Sequence, residues 1–164
     1  PLAYYTDGAG LIVDEYQRFL PRVKTINYVN SILLQPKMKA VGAVDVLYHE
    51  NGVLSETSRS NFFIVTTDQT IVTTPGGVLP GITRMKVLEI ARQQFRLEER
   101  QISLEELSGA AETFITGSTK RVMPVVRIDN SVVGNGKVGP VTAALMKAFA
   151  DYTEKYIQSK KALV

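Results

Sequence analysis

No cysteine occurs among the 164 residues, which excludes disulfide staples and thiolate metal centres and leaves stability to packing. Histidine occurs once, as His49 beside the polar turn Glu50-Asn51-Gly52. A metal centre needs several convergent ligands, so His49 reads as a surface residue and no metal is expected. No apolar run of this sequence approaches the roughly 20 residues that a membrane-spanning helix needs, and no charged-then-apolar leader opens it. The formal charge is only +3, and the basic residues are scattered among acidic ones. Without a basic stripe, nucleic acid is not the expected partner. These absences leave a soluble protein, expected in the cytoplasm. The chain opens at Pro1 with turns that read like mid-protein sequence, and an upstream segment is expected to have been removed.

What is present suits one domain with one real core. Leu2 to Tyr5 and Leu11 to Val13, on either side of Asp7-Gly8-Ala9-Gly10, read as short strands or in part as a linker. Asn27 to Ala43 has helical spacing, with Ile32, Leu33 and Val41 inward, Lys37 and Lys39 outward, and a kink at Pro36. Ala43 to Tyr48 and Val53 to Ser55 read as a hairpin about Asn51-Gly52, and Asn61 to Thr67 and Thr70 to Thr74 as a second about Asp68-Gln69. Ile82 to Phe95 reads as a helix, with Ile82, Val87, Ile90 and Ala91 inward and Arg84, Lys86 and Arg92 outward. Ser103 to Glu106 fits a capping box. Strands over Thr113 to Thr116 and Val122 to Ile128 precede a closing helix from Gly139-Pro140 through Gln158, with Val141, Leu145, Phe149 and Tyr152 as its stripe. The expected fold is α+β, mostly antiparallel strands with three packed helices.

Four local signals carry chemistry. Lys24, just ahead of a helical run, is a nucleophile if its surroundings disfavour the ammonium, and otherwise an ordinary solvated amine. Glu56 closes a strand, where it either caps backbone amides or pairs with a ring nitrogen and keeps it protonated. Gly81-Ile82-Thr83 sits at a helix start, where free amides and the helix dipole favour an anion. Thr116-Gly117-Ser118-Thr119 is a strand-end loop of small hydroxylated residues, also suited to a phosphate or carboxylate. Two anion cradles, an amine and a carboxylate are the inventory of a pyridoxal phosphate site.

The stretches Lys24-Thr25-Ile26-Asn27-Tyr28, Glu56 with Ser60-Asn61-Phe62-Phe63, Leu79-Pro80-Gly81-Ile82-Thr83-Arg84, and Phe114-Ile115-Thr116-Gly117-Ser118-Thr119 with Pro124-Val125 together resemble the class IV aminotransferases. The resemblance runs from Val23 to the end. It implies the C-terminal domain of a fold-type IV enzyme with a pseudo-barrel sheet, over 23–164, and makes 1–22 a linker or the end of a missing N-terminal domain. It also implies pyridoxal phosphate as cofactor and small amino acids and 2-oxo acids as substrates. The reaction it implies is amino transfer between a branched-chain amino acid and 2-oxoglutarate, in amino-acid biosynthesis, by a homodimer. D-amino-acid aminotransferase and aminodeoxychorismate lyase are the alternatives on the same fold, and a catalytically silent fragment is the alternative of another class.

By position, the resemblance implies that Lys24 holds the pyridoxal and shuttles a proton, Tyr28 donates to the ring hydroxyl, and Glu56 pairs with the ring nitrogen. Leu79 would pack on the ring face, Ile82, Thr83 and Ser118 would bind phosphate, and Gly117 and Thr119 would lie near the substrate carboxylate. Tyr28 favours the branched-chain members, since D-amino-acid enzymes place an aliphatic residue there. Thr57 and Arg59 depart from the glycines of Glu-Gly-x-Gly-x-Asn, and Lys120-Arg121 is basic where an acidic residue is common. A preceding small domain would supply an arginine to the phosphate.

Overall fold

Side chains that alternate across a strand can feed two cores at once, and this chain uses that period to build a closed sheet wrapped by helices. A computed structural model describes residues 1–161; the last three residues of the expected domain lie outside the described ones. The strands are β1 (Ala9–Glu15), β2 (Asp45–Glu50), β3 (Val53–Thr57), β4 (Asn61–Val65), β5 (Ile71–Thr73), β6 (Leu97–Glu99), β7 (Glu112–Gly117), β8 (Arg121–Ile128) and β9 (Ser131–Val132). The helices are α1 (Ala3–Thr6), α2 (Val29–Leu33), α3 (Gln35–Ala40), α4 (Ile82–Ala91) and α5 (Pro140–Lys161). Strands run in the order β3-β2-β1-β8-β7-β4, and a β3–β4 pairing closes the ring. β5 and β6 extend from β4, and β9 pairs with β8. β1 is parallel to β2 and β8, and β5 to β6, while the remaining pairings are antiparallel. The expected α+β, mostly antiparallel, barrel-like fold is the one observed.

Each ring strand contributes to one cluster: Leu11, Leu47, Leu54, Phe62, Ile115 and Met123. They fill the barrel. Their neighbours Phe63, Phe114 and Val122 belong to a second cluster with Val87, Leu88, Val141 and Leu145 of α4 and α5. Phe63 and Phe114 stack there with ring centroids 4.6 Å apart. Ile12, Val46 and Tyr48 form a third cluster with Met38 of α3.

Both expected hairpins form, the first turning at Asn51 and Gly52 with φ of 49° and 76°, the left-handed pair that matches strand twist. The capping box also forms: Ser103 N donates to Glu106 Oε2 at 2.8 Å and Glu106 N to Ser103 Oγ at 3.3 Å, although it opens a single 3-10 segment, Glu105–Gly109.

Three local expectations are corrected, while Leu11 to Val13 is a strand as expected. Leu2 to Tyr5 is not a strand, since α1 occupies Ala3–Thr6. Leu11 to Val13 lies in β1, an inner strand between β2 and β8, so the sheet reaches back to Ala9. The single kinked helix over 27–43 is two short ones, with Pro36, which has no N–H to donate, in the first turn of α3. Its inward residues are Ser31 and Met38, while Ile32 and Leu33 are 61% and 74% exposed. In α4 the ends of the face are reversed: Ile82 is 78% exposed and Arg84 only 7%. Arg84 Nη2 donates to Thr74 O at 2.9 Å and Glu99 Oε2 at 3.0 Å. Its buried guanidinium is compensated by acceptors that no helical period reveals.

Candidate active site

Glu56, the penultimate residue of β3, is buried at 3% exposure. Arg18 Nη1 donates to its Oε1 at 2.5 Å, the Leu79 amide to both oxygens at 3.1 Å, and Asn61 Nδ2 to Oε2 at 3.3 Å. Asn61 stands opposite Glu56 in the β3–β4 register and also donates to Leu79 O at 2.8 Å. One amide side chain thereby fixes the strand end against the loop that leads into α4. Burial raises the Glu56 carboxyl above its ordinary value of 4.5, against the opposing pull of Arg18, the Leu79 amide and the field of Lys24. In water-excluded surroundings the cost of losing hydration exceeds what one cation returns.

Arg18 is a site residue that the sequence reading missed. Besides Glu56, its guanidinium donates to Pro21 O at 3.4 Å and Val23 O at 3.3 Å. It therefore ties the backbone just ahead of Lys24 to the buried carboxylate. Only its place six residues before Lys24 could have signalled it, and that spacing has no local structural meaning.

Three residues on from Leu79, α4 begins. Gly81 is its N-cap in an extended conformation, and no side chain caps the helix. A Cβ at Gly81 would lie 2.3 Å from Asn61 Oδ1, so the tight approach of these two elements requires glycine. The free first-turn amides and the helix dipole present positive potential there. α5 provides the contrast, because Glu112 accepts from the amides of Val141 at 3.0 Å and Thr142 at 2.7 Å. Thr83 is buried in the first turn of α4. Thr116 of β7 stands opposite Asn61, and its hydroxyl is buried without a hydrogen-bond partner among the described residues. The Ser60 hydroxyl is buried and unpartnered as well. Buried polar atoms without partners are exceptions in folded proteins; Thr116 faces Asn61, whose side chain lies against Gly81, and Ser60 lies against Gly117.

The opposite wall is exposed. Lys24 projects from the loop before α2 into solvent, and Tyr28, the α2 N-cap, is half-buried with the Arg59 guanidinium 5.6 Å from its ring centre. Ser118 and Thr119 are exposed on the β7–β8 turn, Gly117 is half-buried at its entrance, and Leu79 is half-buried. The structure thus joins Glu56 and Leu79 by direct hydrogen bonds and places the α4 start beside them. It does not bond the side chains of Lys24, Tyr28, Thr83, Ser118 and Thr119 to one another. The arrangement offers a buried anion, an uncapped helix start and a primary amine whose field reaches that anion.

Both the sequence and the fold are similar to those of known proteins. A family model described as Amino-transferase class IV matches residues 10–128. The branched-chain-amino-acid aminotransferase-like protein 1 of Arabidopsis thaliana is 40% identical over 130 residues, 78% of this chain and 23% of that protein. The D-alanine aminotransferase of Bacillus licheniformis is 32% identical over 146 residues, 87% of this chain and 51% of that protein. Among solved structures, the T.th. branched-chain amino acid aminotransferase with pyridoxamine 5'-phosphate superposes with a TM-score of 0.82 at 31% identity, covering 90% of this chain and 51% of that one. The chain spans about half or less of the length of these relatives.

Proposed function

The chain belongs to the class IV aminotransferases, and from that premise we propose that it forms the pyridoxal-phosphate-binding part of an enzyme that moves an amino group between a branched-chain amino acid and 2-oxoglutarate. The observation that carries this reading is the buried Glu56 carboxylate set one short loop away from an uncapped helix start. That pair fits the two ends of the cofactor, a basic ring nitrogen and a phosphate. The unpartnered Thr116 and Ser60 hydroxyls supply further donors on the anion side.

In this reading Glu56 holds a proton on the ring nitrogen, where its burial turns from a penalty into a reason to share one. Arg18 and Asn61 fix the carboxylate. Leu79 offers an apolar face to the ring, and Tyr28 donates to the ring hydroxyl. The α4 amides at Ile82 and Thr83, the Thr83 hydroxyl and Ser118 hold the phosphate, with charge-assisted hydrogen bonds that contribute about 1.5 to 3 kcal/mol each. Gly117 and Thr119 receive the substrate carboxylate. When bound, pyridoxal phosphate supplies an aldehyde for amines and an electron-withdrawing ring. Lys24 Nζ would provide the amine that anchors the cofactor and, once released from it, would serve as the base that holds the substrate α-proton.

Sequence similarity to the Arabidopsis and T.th. proteins supports the branched-chain assignment. The similarity to a D-alanine aminotransferase favours a second reading, transfer from D-amino acids. A panel of L- and D-donors separates the two. A homodimer and a preceding domain complete the proposal. That β1 pairs with β2 and β8 supports a boundary with that domain before Ala9. Among the described residues no helix is long and apolar enough to cross a membrane.

Borohydride reduction with pyridoxal phosphate, followed by peptide mass spectrometry, tests the central assignment. A phosphopyridoxyl mass on the Lys24 peptide is the expected result. Its appearance on other lysines, or on none at saturating cofactor, ends the proposal.

A further inference from the structure

A second buried carboxylate, Asp45, lies outside the machinery described above. It opens β2 at 3% exposure. Its Oδ1 accepts from Ser58 Oγ at 2.5 Å and Val46 N at 2.9 Å, and its Oδ2 from Thr57 Oγ1 at 3.0 Å and Lys120 Nζ at 2.5 Å. The Tyr5 hydroxyl donates to Lys120 O at 2.9 Å. With four donors converging on it, the carboxylate is a fixed point in the fold.

Its partners come from two turns. Thr57 and Ser58 lead from β3 into β4, and Lys120 closes the turn from β7 to β8. The turns touch, since a Cβ on Gly117 would lie 3.2 Å from Ser60 Oγ and 3.3 Å from Arg59 O. Between strand ends, the exposed Ser118 and Thr119 have no side-chain hydrogen bond among the described residues that would hold them. Two side chains tie their turn to the rest of the protein, the Lys120 ammonium on Asp45 and the Tyr5 hydroxyl on Lys120 O, and the first is the charged one. The tie is also demanding, because a carboxylate buried this far cannot lose its cation without rearrangement.

We infer that Asp45 and Lys120 are a positioning pair: they hold the Gly117–Thr119 turn at a fixed height over the site and thereby set the affinity for the substrate carboxylate without touching it. Because Asp45 holds the Lys120 ammonium, the carboxylate is left to the backbone amides of the turn. The inference rests on the assignment of Gly117 and Thr119 to that carboxylate.

The test uses the intact protein and two readouts. Amide hydrogen exchange without any ligand should accelerate at Gly117, Ser118 and Thr119 by about tenfold in Lys120→Met and stay unchanged at the start of α4. With pyridoxal phosphate bound, titration calorimetry with isocaproic acid, which carries no amine to react, should show binding weakened about tenfold or more. Cofactor affinity should fall by less than acid affinity, since Ser118 is the one phosphate donor on the turn while the α4 amides and Thr83 lie outside it, and Lys120→Arg, which keeps the cation, should restore most of the acid affinity. Unchanged exchange in the turn overturns the inference. So does faster exchange with unaltered acid affinity, or an equal loss of acid and cofactor affinity, which would mark a structural role alone. Should the unaltered protein fail to bind the acid, the functional reading and the substrate role of the pair fall together, while the exchange data still decide whether the pair holds the turn.

Discussion

The two longest helices, α4 and α5, begin in opposite ways. At α5 the chain supplies its own anion, with Glu112 reaching from β7 to accept two first-turn amides. At α4 the nearby anion stops short, because Glu56 accepts from Leu79, ahead of the helix, and no side chain caps the first turn. Unfilled donors at a helix end are stabilised by whatever anion fits. One end is therefore closed by the fold, and the other leaves its donors open to the phosphate proposed above. The elements that hold it open are rigid: Asn61 bridges Glu56 and Leu79, and Gly81 leaves no room for a side chain.

The sharpest way to break this contrast is to remove the internal cap. Glu112→Ala should lower stability by about 2 to 3 kcal/mol, since two charge-assisted hydrogen bonds disappear and two buried amides are stranded. Urea unfolding reads the loss, and an unmoved midpoint would make the α5 cap incidental. A smaller effect is expected at Glu56 in the cofactor-free chain. Burial raises its folded pKa above 4.5, so at pH values above 4.5 the folded state keeps a proton that the unfolded state has released. Stability should fall as pH rises from 4.5 through the raised value, and Glu56→Gln should flatten that slope. A profile with the same slope in both proteins would mean that Arg18 fully compensates the carboxylate. The smallest change concerns Thr83. Thr83→Val should leave unfolding stability within about 0.5 kcal/mol while weakening pyridoxal phosphate about fivefold and leaving pyridoxal, which has no phosphate, unaffected. Equal weakening of both ligands would move the phosphate away from α4.

Legibility in the sequence follows the range of the interactions involved. Hairpins at Asn51-Gly52 and Asp68-Gln69, the capping box at Ser103 and the helix start at Gly81 are set by near neighbours, and each can be read directly. Ile82 and Arg84 lie on the opposite sides from those expected, because helical period orders residues around an axis without saying which side the protein lies on. Arg84 is drawn inward by Thr74 and Glu99, one from the loop after β5 and one from β6. Arg18 and Asp45 carry no local signal for the same reason. Their partners lie 38 and 75 residues away along the chain, at Glu56 and Lys120, and only closure of the barrel brings them within reach.

Short-range chemistry is therefore written in the amino-acid order: which residues turn the chain, which begin a helix without capping it, and which amine and carboxylate stand ready. The choice of which carboxylate meets an arginine and a loop amide and which is held by a lysine belongs to the closed sheet. Burial and ion pairing depend on where strands distant in sequence come to lie side by side, and no local pattern encodes that distance.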